Sequence, residues 1–152
     1  MNHPNKTPFI GVLARLDEPS DKAPSGGRGH RVLLTKEAAL DAIPTLIGIS
    51  INFSTGKRHN PENKQGIIDS AWIQGQELCV AGYIFGRDCP SVLKSISACV
   101  DAWGMSYELH DAHVDDLYAE TWRLNRVTFT GAAVILKSEA AYKTTEFLLV
   151  EL

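Results

Sequence analysis

The chain has 152 residues, of which 44% are hydrophobic and 22% are charged, and its formal net charge at pH 7 is −3. A chain of this length buries roughly 70% of its unfolded surface in one core, so we expect a single domain over residues 1–152. Charged residues form no long block of one sign, and no apolar stretch is long enough to cross a bilayer of ~30 Å, which predicts neither nucleic acid nor membrane as a partner.

The N-terminal third of the sequence predicts one strand, a loop and a short helix. Pro8–Leu16 is rich in strand-forming residues, whereas Asp17–Arg31 contains several prolines and glycines and predicts a mobile loop. Thr35 is a plausible N-cap for a helix over Lys36–Ile43, and Pro44 is expected to end that helix because proline has no amide hydrogen to donate.

The middle of the sequence predicts three strands and the best-marked helix. The strand segments are Leu46–Phe53, Gly66–Ile73 and Glu77–Phe85. Gly75, in the short polar gap between the last two, predicts a hairpin turn. The helix is predicted over Pro90–Trp103, with Pro90 in its first turn and Gly104 as its C-terminal cap.

The C-terminal third returns to strand patterns. The predicted strands are Met105–Leu109, Tyr118–Phe129, Ala132–Leu136 and a closing segment, Thr144–Val150. Many short strands with one strong and one weak helix predict a mainly β protein with flanking helices, built as a closed or half-open antiparallel β-barrel.

Two residues in this framework are candidates for acyl-transfer chemistry. His59 lies in the polar turn Lys57–Pro61 after an apolar strand, where the scaffold would hold an imidazole within reach of solvent, as a general base requires. Ser106 opens a strand directly after Gly104, so its hydroxyl would be presented by a fixed backbone. Taken alone, His59 also fits a solvated surface histidine and Ser106 an ordinary strand serine.

The order of these motifs between Ile51 and Tyr142 resembles the prohead (capsid maturation) protease family of tailed bacteriophages, whose fold is shared with the herpesvirus assemblins. The segments that carry the resemblance are His59-Asn60-Pro61, Gly66–Phe85, Pro90–Trp103, Gly104-Met105-Ser106 and Val127–Ala133.

The resemblance implies a serine endopeptidase that cleaves scaffold or capsid protein during head maturation, in the host cytoplasm and inside the procapsid. Ser106 would be the nucleophile that forms an acyl-enzyme, and His59 the general base that takes its proton. The resemblance implies no cofactor and no metal, and it leaves homo-oligomer formation open.

The residue that would orient His59 is where this sequence departs from the family. The acidic position of the family falls on Arg123, which cannot accept a hydrogen bond. Glu120 is the nearest carboxylate, and a β-bulge would turn it towards the same face. His110 and His113 are alternatives, because the assemblins use a second histidine, and a site without a third member is the remaining one.

Donors for the oxyanion also have two candidate sources. Backbone amides around Gly131, in a predicted loop over Thr130–Ala132, could supply them, as could the side chain of Arg126.

Three other patterns suggest different chemistry. His110 and His113, with two aspartates after them, resemble a small metal cluster, but their spacing in a strand or turn favours a solvated acidic turn. Cys89 begins a helix near Arg87, and Asp88 offsets the effect of that cation on the thiol. A chain that keeps the protease fold as a non-catalytic head-assembly protein is the alternative from another functional class, and a β-barrel binding module is a third.

Overall fold

The computed structural model describes residues 3–53 and 64–150 as a sheet of eight strands with two α-helices. The strands are β1 (Thr7–Arg15), β2 (Arg31–Leu34), β3 (Ser50–Phe53), β4 (Gly66–Gln74), β5 (Glu77–Ile84), β6 (Trp103–Val114), β7 (Thr121–Leu136) and β8 (Glu146–Leu149). The helices are α1 (Lys36–Leu46) and α2 (Pro90–Ala98). Neither is long and apolar enough to cross a membrane.

The sheet is mixed, with the strand order β2-β7-β3-β4-β5-β1-β8 and β6 on the opposite edge of β7. β2 and β3 run parallel to β7, and the other pairs are antiparallel. The predicted mainly β architecture with flanking helices is confirmed. Within residues 3–53 and 64–150 no pairing joins β6 to β8, so the sheet is not closed and the closed barrel is not confirmed.

β7 is the central strand of the site region. It pairs with β6 along one edge, while β2 and β3 share its other edge. The sequence predicted two strands here, divided near Thr130. The register shifts between Glu108 and Leu109 of β6, so that Thr130 is one extra residue on β7. A bulge absorbs such a residue without ending the strand, and β7 therefore continues to Leu136.

Alternation along β6 and β7 separates two apolar clusters. Met105 on β6 and Val134 on β7 point into the main core, which also contains the stacked rings of Phe9 and Phe147, 4.6 Å apart. Ala133 and Ile135 point to the other face of β7 and form a smaller buried cluster with a third residue, Ala140. Successive side chains of a strand alternate between faces, so even-numbered positions near the start of β6 lie away from the main core.

The two helices differ in length from the prediction. Thr35 caps α1 as predicted, since its hydroxyl accepts a hydrogen bond from the Ala38 amide at 3.1 Å. α1 nevertheless continues past Pro44 to Leu46. The carbonyl that Pro44 leaves without a helical partner belongs to Leu40, which is 60% exposed, so water can hydrate that turn.

α2 ends at Ala98, short of the predicted Trp103, and Gly104 is not its cap. Cys99 and Val100 are exposed, so the apolar pattern that suggested a longer helix is not used for packing. Trp103 and Gly104 instead begin β6. The predicted helix was too long because Trp103 fits its apolar spacing, although this residue belongs to β6 and packs from that strand.

The segment predicted as a loop over residues 17–31 contains a short 3-10 turn, Ser25–Gly27, and leads into β2. Ser20 is fully buried, and its hydroxyl accepts a hydrogen bond from the Val32 amide at 3.0 Å. β2 was not predicted because four residues that begin with an arginine give little strand signal. The mobility of residues 17–31 stays a prediction.

Two tyrosines whose hydroxyl groups are buried lead to a prediction about stability at alkaline pH. Burial raises the pKa of Tyr142 to about 12, and burial also raises the pKa of Tyr107 well above its ordinary value. Between about pH 10 and 12 the unfolded chain loses phenol protons that the folded chain keeps, so stability falls as the pH rises. We expect Tyr142 to account for a loss of about 3 kcal/mol across this window.

Urea unfolding at several pH values above 9 checks this expectation. Tyr142→Phe should show a shallower fall of the unfolding free energy with pH than the unchanged chain. Tyr118→Phe is the matched control, because Tyr118 is 98% exposed and its loss should leave the slope unchanged. Equal slopes for the unchanged chain and Tyr142→Phe would contradict the assignment.

Candidate active site

Ser106 lies near the start of β6 on the face turned away from the main core. Its neighbours Met105 and Tyr107 pack against the main core, and Ser106 is partly exposed. In the pairing with β7 it lies opposite Ala133, whose methyl group belongs to the smaller cluster. The hydroxyl is therefore presented beside a short, buried side chain.

Ser106, Ala133 and Asn52 form a row across three neighbouring strands. Ala133 of β7 pairs with Ser106 on one side and with Asn52 of β3 on the other. Two strand spacings put Ser106 and Asn52 ~10 Å apart. Asn52 is a polar residue with 5% exposure. The row therefore places two polar side chains on either side of a methyl group.

The start of β6 is fixed by Thr145, which is 1% exposed and precedes β8. The Met105 amide donates a hydrogen bond to the Thr145 hydroxyl at 3.1 Å, and that hydroxyl donates to the Tyr142 carbonyl at 3.0 Å. Gly104 is required here because a Cβ atom would lie 2.5 Å from the Thr145 hydroxyl oxygen. These contacts fix the backbone directly before Ser106 along the edge of β6 that does not pair with β7.

The bulge in β7 follows the second residue pair after that of Ser106. Its residue Thr130 donates a hydrogen bond to Glu108, whose backbone oxygen is 3.3 Å and whose carboxylate oxygen is 3.2 Å from the Thr130 hydroxyl. The Phe129 amide donates to the Thr45 hydroxyl of α1 at 3.0 Å. Polar groups that the bulge releases from the ladder are thus satisfied by threonine side chains.

His59, the predicted general base, lies outside the described residues. The residues on either side of its segment are described, and they lie together. The Gln65 amide donates to the Ile51 carbonyl, and the Phe53 amide donates to the Gln65 side-chain oxygen, both at 2.8 Å. Phe53, the last described residue before this segment, directly follows Asn52 and therefore lies next to the row that contains Ser106.

Glu120, the carboxylate predicted to orient His59, is not brought to Ser106. It is exposed in the turn after β6, at the far end of the hairpin that β6 forms with β7. The length of β6 from Tyr107 to Val114 lies between them, which is ~25 Å of extended strand. The register of the β6–β7 pairing shifts at Thr130 and twice more between His110 and Val114, and none of these shifts brings Glu120 to Ser106.

The remaining predicted site residues also lie along this hairpin. Gly131 pairs with Glu108 and is close to Ser106, in the bulged strand and not in the predicted loop. Arg126 is exposed and pairs with His113, ~20 Å along β7 from Ala133. His110 and His113 are both exposed, and no group of three potential metal ligands occurs in the described parts of the chain.

The surroundings of Cys89 at the start of α2 do not favour a reactive thiol. Burial raises the pKa of its thiol, and the Asp88 carboxylate raises it further. A nucleophilic thiolate requires the opposite shift.

The structure adds two residues that the sequence interpretation did not consider, Glu108 and Asn52. Glu108 follows Ser106 by two residues, so strand alternation places both on one face. That alternation was available in the sequence. Asn52 could not have been found in this way, because its position depends on the pairing of β3 with β7.

No protein-family model and no curated protein matches this chain. Its structure is similar to that of the KSHV protease, crystallised with a hexapeptide phosphonate inhibitor, with a TM-score of 0.52 and 12% identity over 86% of this chain and 60% of that chain. It is also similar to the capsid assembly protease of bacteriophage T4, with a TM-score of 0.52 and 14% identity over 85% of this chain and 96% of that chain.

The chain therefore corresponds to less than two thirds of the KSHV protease and to nearly all of the T4 protease. Because the sequence identities are this low, the similarity establishes a shared fold and not a shared activity. The predicted resemblance to phage prohead proteases and herpesvirus assemblins is confirmed at that level.

Proposed function

We propose that this chain is a serine endopeptidase that cleaves capsid or scaffold proteins during the maturation of a phage head, inside the procapsid in the host cytoplasm. The observation that carries the proposal is the position of Ser106, on the outward face of β6 in one row with Ala133 and Asn52. Both structural neighbours are viral proteases, and one is a capsid assembly protease.

His59 is the proposed general base because its segment begins beside this row. Six residues from Phe53 to His59 span up to ~20 Å, whereas Ser106 lies ~10 Å from Asn52. An imidazole from this segment is therefore within reach of the Ser106 hydroxyl.

In the proposed reaction the Ser106 oxygen attacks the scissile carbonyl carbon while His59 takes the hydroxyl proton. The protonated imidazole returns that proton to the leaving amine, and water then hydrolyses the acyl-enzyme by the reverse proton transfers. Backbone amides at the bulge near Gly131 are the nearer candidates for the oxyanion site, since Arg126 lies far along β7.

A fluorophosphonate probe tests this proposal without knowledge of the cleavage sequence. Attack by Ser106 forms a phosphorus–oxygen bond and expels fluoride, and the serine proton passes to the base. We expect one covalent adduct, located at Ser106 by mass spectrometry of a digest. His59→Ala should lower the labelling rate by between about 10² and 10⁴.

His110→Ala is the matched control for that experiment. His110 is exposed on the same strand as Ser106, and its loss should leave the labelling rate unchanged. The proposal fails if the folded chain gives no adduct, or if the adduct forms at another serine.

A non-catalytic head-assembly protein is the second candidate, and one observation favours it. The β7 residues opposite Ser106 and Glu108 are Ala133 and Gly131, so β7 offers no side chain there that could orient a base. A protein that had lost catalysis but kept its fold would tolerate such residues. Absence of labelling, with retained binding to capsid protein, is the result expected from this candidate.

A further inference from the structure

An apolar groove runs over β4, β5, β1 and β8 on the face of the sheet that is turned away from the main core. Ile10 of β1, Leu148 of β8 and Trp72 of β4 are 47%, 38% and 39% exposed. All three line one open cavity of about 210 Å³. Single exposed apolar side chains are ordinary, whereas several that adjoin each other mark a surface that binds a partner.

The strand register explains why these residues share one face. Val12 of β1 pairs with Cys79 of β5 on one side and with Glu146 of β8 on the other, and Cys79 pairs in turn with Trp72. These four residues form a row across four neighbouring strands. Cys79 belongs to neither of the two buried clusters, so the row lies away from the main core. Three strand spacings put Glu146 and Trp72 ~14 Å apart.

The rim of the groove is acidic. Glu77 and Glu146 line it, and no lysine, arginine or histidine of the described parts of the chain lines it with them. The two ion pairs within residues 3–53 and 64–150 involve other carboxylates. Arg15 pairs with Glu77 in the strand register, but its guanidinium binds the Glu18 carboxylate at 2.8 Å. Charge complementarity therefore favours a partner that carries positive charge beside its apolar surface.

The backbone beneath the groove favours a helix over an extended peptide as the occupant. β1 and β5 each pair along both edges at the groove, so their amide and carbonyl groups are used within the sheet. An extended segment laid on this face would bury its own polar backbone groups without partners. A helix satisfies these groups internally, and its diameter of about 10–12 Å fits the space between Glu146 and Trp72.

The helices that the structure describes in this chain do not have the complementary surface. α1 exposes Leu40 between two acidic residues, Glu37 and Asp41. The apolar residues of α2 at Val92 and Ile96 are buried within its own chain. A second copy of the chain would therefore present no basic, apolar helix face to the groove, and the chemistry points to a different protein.

We propose that this groove binds an amphipathic helix of another protein, whose apolar stripe is flanked by arginine or lysine residues. The stripe would lie against Ile10 and Leu148, with its basic residues directed to Glu77 and Glu146. An arginine at the edge of the stripe would stack on the exposed ring of Trp72. The inference does not depend on the proposed peptidase function, because it uses none of the proposed catalytic residues.

A synthetic helical peptide of about 16 residues tests this inference, since shorter helices are marginal in water. Its leucines lie at helical spacing to form one stripe, with arginine on both sides of the stripe and alanine elsewhere. A second peptide has glutamate in place of each arginine and controls for apolar contact alone. In a fluorescence anisotropy titration we expect the labelled arginine peptide to bind the unchanged chain and the glutamate peptide not to bind.

Substitutions in the groove locate the bound peptide. Trp72→Ala should weaken binding of the arginine peptide by about 10-fold or more, as expected for an aromatic contact at the centre of an interface. Glu77→Gln combined with Glu146→Gln should weaken it by about 3- to 10-fold. Tyr118→Ala and Glu37→Gln are the matched controls, because both side chains are exposed outside the groove, and they should leave the affinity unchanged. Circular dichroism establishes that each variant is folded.

Several results would overturn the inference. It fails if the arginine peptide does not bind, or if both groove variants bind it as tightly as the unchanged chain does. It also fails if the glutamate peptide binds equally well, because the groove carboxylates would then select nothing. Sedimentation velocity tests the other occupant: a dimer of the unchanged chain that Trp72→Ala dissociates would assign the groove to a second copy instead.

Discussion

Ser106→Ala is expected to abolish processing when the chain is produced together with its capsid or scaffold protein. Without the hydroxyl no acyl-enzyme can form, and loss of such a nucleophile lowers turnover by roughly 10⁶ in a well-studied serine protease. The fold should be unaffected, because Ser106 is only partly buried and its partner on β7 is itself an alanine. Gel electrophoresis and mass spectrometry of the capsid and scaffold chains measure the products.

Ser70→Ala is the matched control for this experiment. Ser70 is exposed on β4, and its hydroxyl donates a hydrogen bond to the adjacent Asp69 carboxylate. Its loss should leave processing intact. Equal processing by Ser106→Ala and the unchanged chain would exclude Ser106 as the nucleophile.

Gly82→Ala is expected to destabilise the sheet strongly. A Cβ atom at Gly82 would overlap the Ile67 carbonyl oxygen and lie 2.9 Å from the Ile67 carbonyl carbon. These atoms are backbone, so no side-chain rotation relieves the overlap, and β4 would have to move away from β5. We expect a loss of more than about 3 kcal/mol in the free energy of unfolding by urea.

The same substitution at Gly26 controls for the general effect of adding a methyl group. Gly26 lies in the 3-10 turn, and a Cβ atom there meets nothing within 4 Å. Gly26→Ala should change the unfolding free energy by less than about 1 kcal/mol. If Gly82→Ala were as stable as Gly26→Ala, the close packing of β4 on β5 would be wrong.

Most elements could be predicted because their signals are local. Thr35 caps α1 through a contact three residues away, and Gly75 forms the hairpin turn with a φ of 60°. The elements that escaped prediction depend on distant partners. β2 exists because β7 pairs with it, and β7 stays continuous through Thr130 because Thr45 and Glu108 satisfy the bulge.

The residues of the candidate site also differ in whether local sequence or distant pairing determines their position. Ser106 could be found because the strand-forming residues around it, from Met105 to Leu109, are visible in the sequence. Glu120 was chosen as the orienting residue for its closeness to Arg123 in the sequence, but the long β6–β7 hairpin carries it away from Ser106. How far a hairpin extends is set by pairing and bulges, which adjacent residues do not specify.

The place of β7 between β3 and β6 delays assembly of the candidate site during synthesis. β3, which bears Asn52, and β6, which bears Ser106, both pair with β7 over residues 132–134. A nascent chain that still lacks this segment cannot assemble the row, even though Ser106 has already been translated. Contacts between distant segments close late in folding, so under the proposed peptidase function a ribosome-bound chain would stay inactive until β7 has emerged.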